Sequence, residues 1–103
     1  MQKLTVKPDN IRDLTKRLEA VRARRARLRA ETEEAWARYL AACDEAEAAG
    51  PDPETGGIPA STQQRLNALG AEAERLERQY REAYHEEGRL SAQILGWNRN
   101  GAA

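Results

Sequence analysis

The chain has no phenylalanine, one cysteine and only five aromatic residues among its 103. Few aromatics and about one third charged residues leave little material for the thick core of a compact enzyme, and point to an extended helical protein of one domain. A lone thiol, Cys43, excludes an internal disulfide and suits a reducing compartment. No apolar run is long enough to cross a bilayer, and the first residues lack the apolar stretch of a secretory signal. The expected location is therefore cytoplasmic or within a larger particle, with no membrane partner. Proline is confined to Pro8, Pro51, Pro53 and Pro59, so the stretches between are free of the strongest helix breaker.

Within those stretches lie two seven-residue apolar repeats. Steps of three and four give Ile11, Leu14, Leu18, Val21, Arg25, Leu28, Thr32, Ala35, Tyr39, Ala42 and Ala46. The second series gives Leu66, Leu69, Ala73, Leu76, Tyr80, Ala83, Glu87, Leu90, Ile94 and Trp97. Only Arg25, Thr32 and Glu87 interrupt the two runs. This spacing places one narrow stripe on each helix, the width of a coiled-coil seam. Period-two alternation is nearly absent, which argues against strands.

Element ends are also encoded. Pro8-Asp9-Asn10 reads as a helix start, with Asp9 or Asn10 as cap. Gly50-Pro51 reads as a stop, and residues 50–59 hold three prolines and three glycines, which makes them loop. Ser61-Thr62-Gln63-Gln64 reads as a capping box. The predicted organisation is an N-terminal arm over 1–8, helix over 9–49, loop over 50–60, helix over 61–95 ending at Gly96, and a polar tail over 96–103. So short a break folds the helices back on each other, giving an all-α fold: a long antiparallel, coiled-coil-like two-helix hairpin with extended N- and C-terminal arms. Pairing outward from the loop brings Leu18 to Ile94, Val21 to Leu90, Leu14 to Trp97, and Arg25 beside Glu87.

A single seam buries little, so further surface is expected to be covered by a partner. Trp36, Leu40 and Cys43, with Tyr39 beside them, form a second apolar stripe off the seam and are the expected protein contact, with Trp97 in the C-terminal tail as another. Net charge is zero but sorted. Residues 1–29 carry ten Lys/Arg against three Asp/Glu, and residues 30–57 carry one Arg against eight acids. Arg22, Arg24, Arg27 and Arg29 (with Arg25) could in principle grip phosphates. The hairpin register sets Glu82, Glu86 and Glu87 opposite them, no aromatics are interleaved for base stacking, and nucleic-acid binding is not favoured.

No catalytic constellation emerges. Glu82 and His85 match the Glu-x-x-His spacing of di-iron bundles, but one histidine cannot build such a site within one chain. Gly56-Gly57 has no following Lys-Ser/Thr to make a phosphate cradle. Catalytic, cofactor and metal residues are therefore expected to be none, with no small-molecule substrate. The build, a small Ala/Arg/Glu-rich helical hairpin with terminal arms, resembles that of bacteriophage and mobile-element proteins, though no motif carries the likeness. The favoured expectation is a non-enzymatic structural or adaptor subunit, self-associating or docking in a multi-copy assembly such as a bacteriophage virion. The alternatives are a small inhibitor or accessory factor of a nucleic-acid-processing enzyme, and direct nucleic-acid binding through Arg22–Arg29.

Overall fold

The computed structural model describes residues 8–101, with side chains from residue 10 to residue 96. Helix α1 spans Pro8–Ala49 and helix α2 spans Ala60–Gly101. The fold is the all-α antiparallel hairpin that the two repeats dictate, with no strand among the described residues.

Three boundaries differ from the sequence expectation. Pro8 is itself the first helical residue, a position where its missing N–H costs nothing and its fixed φ suits the helix. Asp9 and Asn10 therefore follow it inside the first turn and neither occupies the cap. At the start of α2 the Gln63 N–H donates to the Pro59 carbonyl at 3.0 Å, so Pro59 stands at the cap and Ser61 lies inside the helix. The capping-box reading sets the cap at Ser61, two residues later than the structure does. The third difference is at the far end: α2 continues through Gly96 to Gly101 instead of stopping after Leu95. A lone glycine costs a helix only about 1 kcal/mol, and no proline follows to enforce a stop. Residues 1–7 of the expected arm over 1–8 and the last two residues of the expected tail lie outside the described residues.

The loop is closed by its own backbone. Gly50 adopts φ +76° and donates to the Glu47 carbonyl at 3.2 Å, ending α1 in the left-handed conformation that glycine enters without penalty. The Gly56 N–H donates to the Asp52 carbonyl at 2.7 Å, and the Asp52 N–H donates to the Gly57 carbonyl at 2.8 Å. Asp52 Oδ1 also accepts from the Glu54 N–H at 2.9 Å, an Asx-type turn that gives the proline-rich segment a fixed shape.

The described chain divides into two compact units: a loop unit, Leu28–Tyr80, and a terminal unit comprising the residues up to Arg27 and those from Arg81 onward. In the terminal unit Leu18, Val21 and Leu90 form a buried cluster, with Leu14 and Ile94 packed on it. Ascending numbers on α1 meet descending numbers on α2, which makes the pairing antiparallel. The loop unit has a thinner seam. Its buried positions include Ala35, Ala42 and Ala73, with Leu28, Thr32 and Leu76. Alanine layers leave little side-chain volume between helices and favour close approach. Here too the order is antiparallel: Arg65 pairs with Glu45 at 3.0 Å, and the Tyr39 ring packs over Gly70. Across both units, every residue classed as buried is a member of the two heptad series.

Candidate interaction surfaces

The first surface is on the loop unit, along the outer side of α1. Trp36, Leu40, Cys43 and Glu47 follow each other at steps of four, three and four, and so share one helical face. Leu40 is 58 % exposed. Trp36 and Tyr39 are half-buried and meet edge to face, with centroids 5.6 Å apart and planes at 89°. Cys43 is half-buried and its thiol is hydrogen-bonded to the Tyr39 hydroxyl, which holds the phenol above the ordinary tyrosine range. The sequence reading placed Trp36, Leu40 and Cys43 on a common stripe, and the structure brings them together. It adds the edge-to-face contact between Trp36 and Tyr39.

Tyr39 reaches this position because α2 has a glycine where it lands. A Cβ built at Gly70 would stand 3.3 Å from Tyr39 Cε1, closer than most side-chain contacts. The aromatic pair is thus seated by a hole in the opposing helix. The heptad series contains Tyr39 but skips Gly70, so nothing in the periodicity signalled the match.

The second surface is the tip of the hairpin. A cavity of about 410 Å³ opens there, lined mostly by apolar atoms of Cys43, Ala46, Pro51, Ile58 and Leu66, with Glu47 at its edge. Ile58 is 56 % exposed. Cys43 belongs to both the stripe and the cavity. The sequence marks the loop as a break at an acidic tip, suited to head-to-tail contact with the basic end of another copy; the one signal for the cavity was Ile58, a large apolar residue stranded among prolines and glycines.

The third candidate is the arginine-rich stretch. In the terminal unit Arg22 Nε lies 2.9 Å from Glu87 Oε2, and Arg25 Nε lies 2.6 Å from Glu87 Oε1. One carboxylate, with its side chain only 16 % exposed, thus serves two guanidinium groups. The Arg25 contact is a charge pairing: its Nε–H does not point along the line to the oxygen and makes no hydrogen bond. Arg24 meets Glu86 at 3.3 Å, and Arg27 also has an interaction of its own. In the loop unit Arg29 pairs with Glu33 at 3.3 Å. All four arginines proposed as phosphate contacts are therefore already engaged within the chain. Trp97, the remaining expected contact, lies on the backbone of α2, but its side chain is outside the described residues.

Among the described residues no group of three or more His, Cys, Asp or Glu side chains could hold a metal ion. His85 faces the Tyr84 ring edge-on at 6.1 Å. No helix is long and apolar enough to cross a membrane among the described residues. Compared with protein-family profiles, with curated proteins and with solved structures, the chain matches none.

Proposed function

We propose that this chain is a non-enzymatic structural subunit of a multi-copy assembly, associating with further copies of itself through the loop unit. The observation that carries the reading is Leu40, 58 % exposed on one face with Trp36 and Cys43. An exposed leucine alone needs no explanation, but one aligned with a partly exposed tryptophan and continuous with an apolar cavity marks a contact surface. Sorted charge supports it. Residues 28–80 carry eleven Asp/Glu against five Lys/Arg, and the rest of the sequence carries twelve Lys/Arg against six Asp/Glu. A molecule with two halves of opposite sign attracts copies of itself at no cost in net charge. A bacteriophage virion and the cytoplasm in which one assembles are the settings we propose.

The test compares the wild-type chain with Leu40→Asp by size-exclusion chromatography with light scattering. The wild type should elute as a multimer, and Leu40→Asp should shift toward the monomer with unchanged helicity, because Leu40 is outside the buried seam. Equal masses for the two proteins would remove Leu40 from the contact.

A second reading is favoured by the acidic excess of residues 28–80: an accessory or inhibitory protein that offers carboxylates to the basic cleft of a nucleic-acid-processing enzyme. Direct nucleic-acid binding through Arg22, Arg24, Arg27 and Arg29 has less support, since each is engaged by a partner in its own chain. Phosphate would compete with those carboxylates for the same guanidinium groups.

A further inference from the structure

The sequence contains a segment whose chemistry suits the tip cavity. The cavity combines an apolar lining (Ile58, Leu66, Pro51) with an acidic setting: residues 42–67 carry five Asp/Glu, and their one basic residue, Arg65, is already paired with Glu45. Its natural complement is a short strand-like peptide with aliphatic side chains on one side and unopposed positive charge on the other. Lys3-Leu4-Thr5-Val6-Lys7 is such a peptide, with two lysines and no acid over residues 1–7. Bound as an extended strand, such a peptide would have Leu4 and Val6 on one face, and lysine stems are long enough to carry their ammonium groups to a rim.

We propose that the tip cavity of one copy receives the Lys3–Lys7 segment of a second copy, with Leu4 and Val6 in the apolar floor and Lys3 and Lys7 drawn to the acids of the tip: Glu47, which lines the cavity, and Glu54 in the same loop. The inference rests on the self-association reading above and makes it specific: the contact is head to tail, not patch to same patch. A cavity of about 410 Å³ accommodates two branched aliphatic side chains. Charge complementarity selects a second copy over an unrelated apolar peptide, because positive and negative partners occur in one chain at equal total charge. Head-to-tail contacts of this type propagate, producing a ring where the rotation closes and a filament where it does not.

The single native thiol makes a direct test available, since Cys43 lines the cavity. The full-length chain carrying Leu4→Cys is oxidised mildly, resolved on a non-reducing gel and digested for mass spectrometry. A disulfide between residues 4 and 43 in dimer and higher bands is the expected result, with its yield falling in about 1 M salt as the ion pairs are screened. In a second arm, Lys3→Glu with Lys7→Glu should weaken association about tenfold or more, and adding Glu47→Lys with Glu54→Lys should restore it. A 4–43 link confined to the monomer band would overturn the proposal by assigning the cavity to the chain's own segment. Multimers by sedimentation that yield only 4–4 links, with no rescue by the double reversal, would also overturn it while leaving self-association intact. A chain that stays monomeric throughout would remove both readings.

Discussion

Glu87 on α2 stands 2.6 Å from Arg25 on α1, so the two charged interruptions of the heptad series meet each other in the terminal unit. The same carboxylate also accepts from Arg22 at 2.9 Å. Two breaks in an apolar pattern, sixty-two positions apart, thereby become one feature that is correct only in this register. Glu87→Gln leaves both guanidinium groups with a neutral acceptor and should destabilise the hairpin by about 1 kcal/mol, the range between exposed and buried pairs. Arg25→Met combined with Glu87→Met should recover most of that loss, because the pair is replaced by apolar volume. Urea denaturation of the three variants and the wild type measures both steps. An equally large loss in the double variant would mean that the charges stabilise the seam outright.

Thr32 is the third interruption and it behaves differently. It is 8 % exposed, and its hydroxyl has no hydrogen-bond partner. Thr32→Val keeps the shape and removes the buried polar atom, so it should raise stability by about 1 kcal/mol or more. A higher urea midpoint at unchanged slope is the expected outcome; a loss of stability would show that the hydroxyl is satisfied in solution.

The helical glycines separate two effects. Gly88 is exposed with open space around its Cα, so Gly88→Ala should stabilise α2 by about 1 kcal/mol through helix propensity alone. Gly70→Ala introduces the same propensity gain and a Cβ 3.3 Å from the Tyr39 ring. Its melting temperature should fall below that of Gly88→Ala, and the near-ultraviolet dichroism of the Trp36–Tyr39 pair should change only in Gly70→Ala. Equal stabilisation by both substitutions would show that the ring does not rest there.

Glu72 accepts two hydrogen bonds from Arg75, at 2.6 Å and 3.0 Å, and these hold its carboxyl below the ordinary value of 4.5. A depressed carboxylate stabilises the fold at pH values above its unfolded pKa, and that contribution is lost as pH falls through the folded one. Arg75→Gln should therefore raise the Glu72 midpoint toward 4.5 in a carbon-13 carboxyl titration and flatten the stability profile below pH 4.5. Because both side chains are about half exposed, salt should reproduce part of the same change.

The hairpin was legible because its information is periodic. Every buried residue among those described is a heptad position, and the Gly50-Pro51 stop and the proline-rich loop follow from local backbone chemistry. The arginine-to-glutamate pairing was legible as well, once the register was counted outward from the loop. What the sequence hid depends on contacts that no period encodes. Gly70 accepts Tyr39 through the absence of a side chain, and the tip cavity arises from hydrogen bonds that close the loop around Asp52. The end of α2 was misread for the opposite reason: Gly96 looked like punctuation, yet a single glycine is a weak break when the residues after it can still form helix.

Sedimentation equilibrium of the wild-type chain, at several concentrations and at low and high salt, tests the central claim most directly. A self-associating chain gives a mass above 11.5 kDa that rises with concentration and falls when salt screens the opposed halves. A constant 11.5 kDa at every concentration and ionic strength would contradict it.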